Sequence, residues 1–492
     1  MSRSLVTFAT LMYLSACGST SRAPTSPEAA PPAAAAPAAP AQVPAGDPVG
    51  IWLGALEVGG SKLRLAFHVE RAADGALRAT LDSLDQGVSG IPFDKASYQA
   101  PTLRLELAQL KASFEGKVEG DKLVGSWSQG AALPLAMARV DHLEAAAPKR
   151  PQQPARPFPY REEEVTISVH ASADRASKET IKLAGTLSLP EGKGPFPAVV
   201  LVTGSGTQDR DETLFGHKPF LVLSDALVRR GIATLRLDDR GTGASEGVAD
   251  SGTTLVYADN VATELEWLAA RPEIDKRAIG VVGHSEGALI APIVASLSKR
   301  ARFLVMLAGP GVRGDQILIG QAERAARMTG GDDAKTARDR ADAENLFTQL
   351  RLAKTDDEAR AAMQAFVEAD PSQKAEREAN ATRFASRLTW LRAFLGLDPI
   401  PYLTKVRIPV LAIAGELDIQ VTKDNLPLIE AALRRAKNPD ATAKLLPSLN
   451  HLFQHAKTGS PAEYAAIEET FAPEALQLIS DWIVERATRL RR

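Results

Sequence analysis

Five short, largely apolar runs are spaced along the chain from residue 198 onward, and segments with helical patterning lie between them. The runs are Ala198–Thr203, Ile232–Leu237, Ile279–Val282, Phe303–Leu307 and Val410–Ala414. Runs of this kind are typical of strands that are buried on both faces, as in a parallel sheet. Helical patterns such as Phe220–Arg230 and Asp259–Ala270 separate them. This alternation predicts a doubly wound α/β sheet in a domain that covers residues 162–492.

One stretch interrupts the alternation. Residues from about 313 to 395 contain no strand-like run and are rich in Ala, Arg, Glu, Asp, Lys and Gln. Such a composition predicts helices inserted between two strands. We expect this insertion to form a helical cap over the carboxyl edge of the sheet, where open α/β sheets bind ligands.

The chain of 492 residues is too long for one ordinary core, so further domains are expected before residue 162. Residues 47–142 alternate between polar and apolar positions, with turn residues between the runs. Examples are Lys62–Val69, Leu103–Leu107, Ala112–Val118 and Lys122–Trp127. This pattern predicts a small all-β domain, either a barrel or a sandwich. The prolines between Pro148 and Pro159 predict a linker over residues 143–161.

The amino terminus has the pattern of an export signal. Arg3 precedes the apolar run Leu5–Ala16, and the only cysteine follows at Cys17, in Leu-Ser-Ala-Cys-Gly. This segment resembles the lipobox of bacterial lipoproteins, which predicts a leader over residues 1–17, lipidation of Cys17 and attachment to a membrane through that lipid. Gly18 after the cysteine favours the outer membrane. An ordinary signal peptide cut near Ala16 is the alternative.

Residues 18–46 are almost entirely Ala, Pro, Ser and Thr, which predicts a disordered tether. A tether of this kind suits an exported lipoprotein at the outer membrane or facing the periplasm. The chain has a net charge of −2 and no long block of basic residues, which argues against a nucleic-acid partner. No run of about 18 apolar residues follows the leader, so no internal membrane span is expected.

The segment Gly283-His-Ser-Glu-Gly287 matches the pattern G-x-S-x-G. A strand-like run leads into it and a plausible helix follows it. A strand, a sharp glycine-flanked turn and a helix form the nucleophile elbow of α/β-hydrolases, which exposes the serine above the sheet. We therefore predict that Ser285 is a nucleophile.

A serine hydroxyl needs a base, and the base needs an orienting acid, which in this fold follow the serine in the order acid, then histidine. His451 lies in a predicted loop after the last short run, and we favour it over His455 as the base. Asp418 ends a glycine-led turn after the run from Val410, and we favour it as the acid. Glu416 and Asp315 are its competitors.

Glycines in the loop Thr203–Glu212 allow close approach of the backbone to a substrate oxygen. We predict that the backbone N–H groups of Ser205 and Glu286 stabilise the oxyanion. The charged run Asp209–Glu212 is expected to hold the loop through ion pairs.

Other motifs suggest structure more than chemistry. The glycine-rich segment Leu237–Ser245 lacks the endings of phosphate-binding loops and is expected to be a turn that bonds to nearby loops through Asp239 and Arg240. His284 is expected to pack within the elbow. No metal-ligand pattern occurs, and we expect neither a metal nor a cofactor.

Taken together, these segments resemble a bacterial family of secreted α/β-hydrolase esterases, related to the serine aminopeptidase-like and dienelactone hydrolase-like branches. The motifs that carry the resemblance are Thr203–Glu212, Asp239–Ser245, Gly283–Gly287, Gly415–Asp418, Asn450–Phe453 and, in the β-rich region, Leu81–Gly87. Many members have His where this chain has Thr203. The resemblance implies hydrolysis of carboxylic esters with short acyl chains.

The leading hypothesis is therefore a serine carboxylesterase that acts on a small-molecule ester through Ser285, His451 and Asp418. A serine peptidase or amidase could use the same three residues, but it needs a site for the charged amino end of its substrate. The third hypothesis is a non-catalytic envelope lipoprotein that keeps the fold for binding.

Overall fold

The computed structural model describes residues 46–491, with gaps at 59–60, 73, 85–87, 109–111, 130, 144–148, 173–178, 250, 329 and 386. The predicted leader, the lipidation site Cys17 and nearly all of the predicted tether lie outside the described residues. The described chain forms two compact units that divide between Lys149 and Arg150. Among the helices that the structure describes, none is long and apolar enough to cross a membrane.

The first unit consists of antiparallel strands. They are β1 (Gly50–Val58), β2 (Ser61–Arg71), β3 (Leu77–Ser83), β4 (Val88–Pro92), β5 (Lys95–Gln99), β6 (Thr102–Leu107), β7 (Ala112–Glu119), β8 (Lys122–Gln129) and β9 (Ala131–Val140). They pair in the order β4-β3-β2-β1-β9-β8-β7-β6-β5, so β1 joins β9 and the ends of the order are β4 and β5. Only Phe93 and Asp94 separate these two strands, which curls the sheet until its ends approach each other.

The interior of this sheet explains its sequence pattern. Alternate residues of β7 are buried and exposed, as a strand with one face in a core requires. Trp52, Phe67 and Phe114 are almost completely buried at the centre, and the rings of Phe67 and Phe114 meet edge to face with centroids 5.1 Å apart.

The described residues of the second unit form an eight-stranded sheet. Its strands are β10 (Arg161–His170), β11 (Thr180–Leu189), β12 (Phe196–Val202), β13 (Ala233–Leu237), β14 (Ile274–His284), β15 (Ala301–Leu307), β16 (Val410–Gly415) and β17 (Ala441–Leu446). The order is β10-β11-β13-β12-β14-β15-β16-β17. The pairs β10–β11 and β11–β13 are antiparallel, and the others are parallel.

Helices cover both faces of this sheet. They are α1 (Pro219–Val228), α2 (Thr254–Ala269), α3 (Glu286–Leu297), α4 (Gly314–Met328), α5 (Asp333–Leu352), α6 (Asp356–Glu368), α7 (Lys374–Ala385), α8 (Leu388–Gly396), α9 (Ile400–Leu403), α10 (Asn425–Arg435) and α11 (Pro473–Arg491). Helices α2, α3 and α10 contribute to the apolar core on one face, and α1 and α11 to the core on the other. The predicted α/β-hydrolase fold, preceded by a small all-β unit, is confirmed.

Helices α4 to α8 occupy the predicted cap and have an apolar cluster of their own. Trp390, Leu391 and Phe394 of α8 pack in this cluster together with Leu289 from the first turns of α3. The cap therefore rests on the helix that follows Ser285.

The part of the predicted linker that begins at Arg150 contacts the second unit. Residues 144–148 lie outside the described residues, whereas the Arg150 guanidinium donates hydrogen bonds to the backbone oxygens of Phe215, Ala465 and Ile467 at 2.8 to 2.9 Å. From Arg150 onward the chain belongs to the second unit.

Candidate active site

Ser285 stands alone between a strand and a helix. β14 ends at His284 and α3 begins at Glu286, so a single residue makes the turn. Its backbone has φ 54° and ψ −113°, a left-handed conformation that is strained for a residue with a side chain. The Ser285 N–H is held by the backbone oxygen of Leu307 at 2.8 Å. This is the geometry of a nucleophile elbow.

The two glycines of the motif have a steric reason. A Cβ atom on Gly283 would lie 2.0 Å from the backbone oxygen of Gly287. A Cβ atom on Gly287 would lie 2.1 Å from the backbone oxygen of Val202, at the end of the neighbouring strand. Because real Cβ contacts are never this short, the turn closes only when both positions lack a side chain.

His451 and Asp418 meet at the same edge of the sheet. Asp418 follows β16, and His451 follows β17. His451 Nδ1 donates a hydrogen bond to Asp418 Oδ2 at 2.7 Å, and both side chains are buried. The other oxygen of Asp418 accepts the backbone N–H groups of Gln420 and Val421 at 2.8 and 2.9 Å. This arrangement fixes the histidine tautomer, which leaves Nε2 available as a base.

The competing residues have other partners. Glu416 is exposed and accepts the backbone N–H of Ser448. Asp315 lies at the start of the cap and pairs with Arg313. His455 is half exposed and pairs with two surface glutamates. The structure thus brings Asp418, and neither of its rivals, to His451.

The glycine-rich loop after β12 lies beside the serine. A Cβ atom on Gly204 would be 3.3 Å from the Cβ atom of Ser285. The Gly204 N–H donates to Glu212 Oε1 at 2.7 Å, so it is already engaged. The next amide, that of Ser205, remains the predicted oxyanion donor. The second predicted donor is the amide of Glu286, which opens α3 and therefore has no acceptor within the helix.

Ion pairs hold this loop to the sheet. The Arg210 guanidinium binds the Asp238 carboxylate through two nitrogens, at 2.8 and 3.1 Å. Asp211 pairs with the buried Arg236 of β13. Asp239, in the next loop, accepts the Gln208 N–H at 2.9 Å. The charged run after the glycines therefore braces the loop at several points.

A buried pair that the sequence did not reveal lies beneath the elbow. Glu212 Oε1, which accepts the Gly204 N–H, also contacts His284 Nδ1 at 2.8 Å. His284 Nε2 contacts the backbone oxygen of His451 at 2.9 Å. Burial alone would lower the pKa of His284, but the Glu212 charge and the two hydrogen bonds outweigh it, and the pKa is raised.

The side chain of Glu286 points away from the serine and towards the cap. Its carboxylate accepts Trp390 Nε1 of α8 at 2.9 and 3.0 Å, and the Thr254 hydroxyl of α2 at 2.6 Å. Burial raises the pKa of this carboxyl. The residue after the predicted nucleophile therefore ties the cap to the elbow.

A small acidic cavity lies behind the glycine-rich loop. It has a volume of about 40 Å³, and its lining includes Asp239, Glu264 and Tyr257. Burial raises the pKa of Asp239 and of Glu264 to about 8 each. In the part of the chain that the structure describes, no cluster of His, Cys, Asp and Glu could hold a metal ion.

The family model of the X-Pro dipeptidyl-peptidases (S15 family) matches residues 179–452. The chain belongs to this family. The match covers β12, the elbow at Ser285, the whole cap, Asp418 and His451. The predicted resemblance to α/β-hydrolase esterases with a β-rich region in front is confirmed at that level, and the family identified is S15.

Known relatives extend the comparison. The esterase EstD of Thermotoga maritima is 39% identical over 129 residues, which are 26% of this chain and 30% of that enzyme. The matched segment therefore spans less than a third of that relative. Among solved structures, the Pyrococcus furiosus esterase Pf2001 has a TM-score of 0.41 and 17% identity, covering 67% of this chain and 91% of that one. Est1E from Butyrivibrio proteoclasticus has a TM-score of 0.38 and 16% identity, covering 66% and 98%.

Proposed function

We propose that this protein is a serine hydrolase that cleaves carboxylic esters through an acyl-enzyme. The observation that carries the proposal is the buried hydrogen bond of 2.7 Å between His451 and Asp418, at the sheet edge where the Ser285 turn lies. A buried acid that holds a histidine in one tautomer, at the same sheet edge as a strained serine, is typical of sites that activate a serine hydroxyl.

In the proposed mechanism, His451 Nε2 takes the proton of the Ser285 hydroxyl as Oγ attacks the ester carbonyl. The negative charge that develops on the carbonyl oxygen is stabilised by the N–H groups of Ser205 and Glu286. His451 then gives its proton to the leaving alcohol, and the acyl-enzyme remains. Water, activated by the same histidine, releases the acid and restores the serine.

A second candidate function follows from the family. A dipeptidyl-peptidase would use the same residues but must bind a charged amino terminus near the nucleophile. The buried carboxylates beside the elbow already have partners, because Glu212 binds Gly204 and His284, and Glu286 binds Trp390. A substrate ammonium would have to compete with these hydrogen bonds, so we place ester hydrolysis first.

The nature of the nucleophile is tested by covalent labelling. A fluorophosphonate probe should label the folded wild-type protein, and Ser285→Ala should abolish both labelling and hydrolysis of p-nitrophenyl acetate. Ser296→Ala is the matched control, since Ser296 lies further along α3 and bonds to the Ile293 carbonyl. Folded wild-type protein that takes up no label would refute the proposal.

A substrate panel separates the two activities. We expect turnover of aryl esters with short acyl chains, as the family resemblance implies, and little turnover of aminoacyl or X-Pro arylamides. Preference for an X-Pro arylamide would establish the peptidase instead.

We also propose that the protein is exported and anchored through a lipid on Cys17. The support is the leader and lipobox pattern, followed by the Ala- and Pro-rich segment. Metabolic labelling with a fatty-acid analogue should mark the wild-type protein in the membrane fraction and not Cys17→Ala. Equal labelling of the two proteins would contradict the anchor.

A further inference from the structure

Three segments of the candidate site are joined by one series of buried hydrogen bonds. Glu212 Oε1 accepts the N–H of Gly204, in the loop that carries the predicted oxyanion donor. The same oxygen lies 2.8 Å from Nδ1 of His284, the residue directly before Ser285. His284 Nε2 lies 2.9 Å from the backbone oxygen of His451. This series of hydrogen bonds therefore connects the loop of the predicted oxyanion donor, the predicted nucleophile Ser285 and the predicted base His451.

The hydrogen bonds determine where the protons are. A backbone carbonyl can only accept, so His284 Nε2 must carry a proton. Glu212 Oε1 already accepts the Gly204 N–H, which favours the ionised carboxylate and places a second proton on His284 Nδ1. A ring with protons on both nitrogens is an imidazolium cation, and Glu212 is its counter-ion.

We propose that Glu212 and His284 form a buried carboxylate–imidazolium pair that positions the base and the oxyanion loop around Ser285. The proposal rests on the proposed serine-hydrolase function. Both are positioning residues, since they act through Gly204, Ser285 and the backbone of His451. The pair adds no net charge to the site.

The surroundings of His284 agree with this assignment. Glu212, His284 and His451 are almost completely buried, so an unpaired cation there would be strongly unfavourable. Glu212 acts on His284 through its charge and its hydrogen bond, and the charge of Asp418 acts in the same direction. The rings of His284 and His451 lie with centroids 4.7 Å apart, so displacement of one would move the other.

Glu212→Gln is the informative substitution because it keeps the shape and removes the charge. One oxygen serves both Gly204 and His284, so the glutamine oxygen must take that place and Nδ1 must keep its proton. The imidazolium then has no counter-ion. Because a buried imidazolium without a counter-ion is strongly unfavourable, the ring loses the Nε2 proton, and a lone pair faces the His451 carbonyl instead of a hydrogen bond.

The expected result is a loss of kcat across the neutral pH range. At both about pH 6 and about pH 8, kcat of Glu212→Gln for an aryl ester should fall by on the order of tenfold to a hundredfold relative to the wild type at the same pH, with little change in KM. The matched control is Glu469→Gln, which breaks an exposed His–Glu pair with His455. Its pH profile should follow that of the wild type. A kcat for Glu212→Gln equal to that of the wild type at both pH values would overturn the proposal.

A second measurement needs no active variant. Nitrogen NMR of histidine-labelled wild-type protein at about pH 8 should show a doubly protonated ring that is absent from the spectrum of His284→Asn. A neutral His284 in the wild type would overturn the pair. These outcomes are separate from the nucleophile test, because failure of that test leaves Ser285→Ala active, whereas failure here leaves Glu212→Gln behaving like Glu469→Gln.

Discussion

Glu264 is a buried carboxyl on helix α2 that faces the same cavity as Asp239. Burial, together with the charge of Asp239, raises the pKa of Glu264 from 4.5 to about 8. An uncharged side chain of the same shape should therefore be tolerated better than the ionised carboxylate. We predict that Glu264→Gln stabilises the second unit at alkaline pH and not at acid pH.

The sign follows from the protons bound in each state. Below a pH of about 4.5 the carboxyl is protonated in both states, and the substitution has little effect. Between about 4.5 and 8 the unfolded chain has released this proton and the folded chain has kept it, so the free energy of unfolding falls as the pH rises. At about 1.4 kcal/mol for each pKa unit, the cost reaches at most about 5 kcal/mol near pH 8. Water in the cavity would reduce it.

Calorimetry at about pH 5 and about pH 8.5 measures the effect, with the second-unit transition identified by loss of hydrolytic activity. Glu264→Gln should melt several degrees above the wild type at the higher pH and within about a degree of it at the lower. The control is Glu266→Gln, an exposed residue on the same helix that pairs with Arg300. Equal melting shifts for the two variants at both pH values would refute the reasoning.

Three further substitutions probe the site. Asp418→Asn removes the acceptor that fixes the His451 tautomer. Steady-state kinetics should therefore show that kcat falls by on the order of 10⁴ with little change in KM. A loss below tenfold would argue against Asp418 as the acid. Trp390→Phe removes the hydrogen bond from the cap to the Glu286 carboxylate. This change should lower thermal stability by about 1–3 kcal/mol and make the cap more sensitive to limited proteolysis. An unchanged digestion pattern would contradict this role of the hydrogen bond. Gly283→Ala places a Cβ atom 2.0 Å from a backbone oxygen in the first turn of α3, so fluorophosphonate labelling should be lost even in protein that folds; normal labelling would show that the elbow can relax.

The parallel strands were predictable because burial on both faces leaves a local signature. The runs that begin at Ala198 and Val410 coincide with β12 and β16 within two residues. Strand β10 was missed because it begins Arg-Glu-Glu-Glu, which has no apolar pattern. Its carboxylates are neutralised by partners far along the chain, since Glu162 pairs with Arg236 and Glu164 with Arg210. No local rule connects such pairs.

In helix α2, buried polar residues make the first residue of the helix difficult to predict from apolar periodicity. The pattern predicted a start at Asp259, whereas the helix begins at Thr254 after the capping side chain of Thr253. Asp259 and Glu264 are buried, so the inward face of the helix is not purely apolar and its periodicity is weak. The N-cap residue Thr253 is therefore a better indicator of where the helix begins than the apolar periodicity.

The residues of the site also differ in whether the local sequence or only a distant contact identifies them. Ser285 and its glycines belong to one short motif whose turn geometry requires them, and chain order then limits the acid and the base to a few positions. That reasoning identifies Asp418 and His451 as candidates, and the structure brings those two together. Glu212 follows no such rule. Its backbone has φ 53°, and its side chain contacts His284, which lies 72 residues further along the sequence. The candidate catalytic residues of this fold are marked by local motifs, whereas the residues proposed to hold those motifs together are defined by contacts between distant segments. The substitution Glu212→Gln tests whether that distinction holds here.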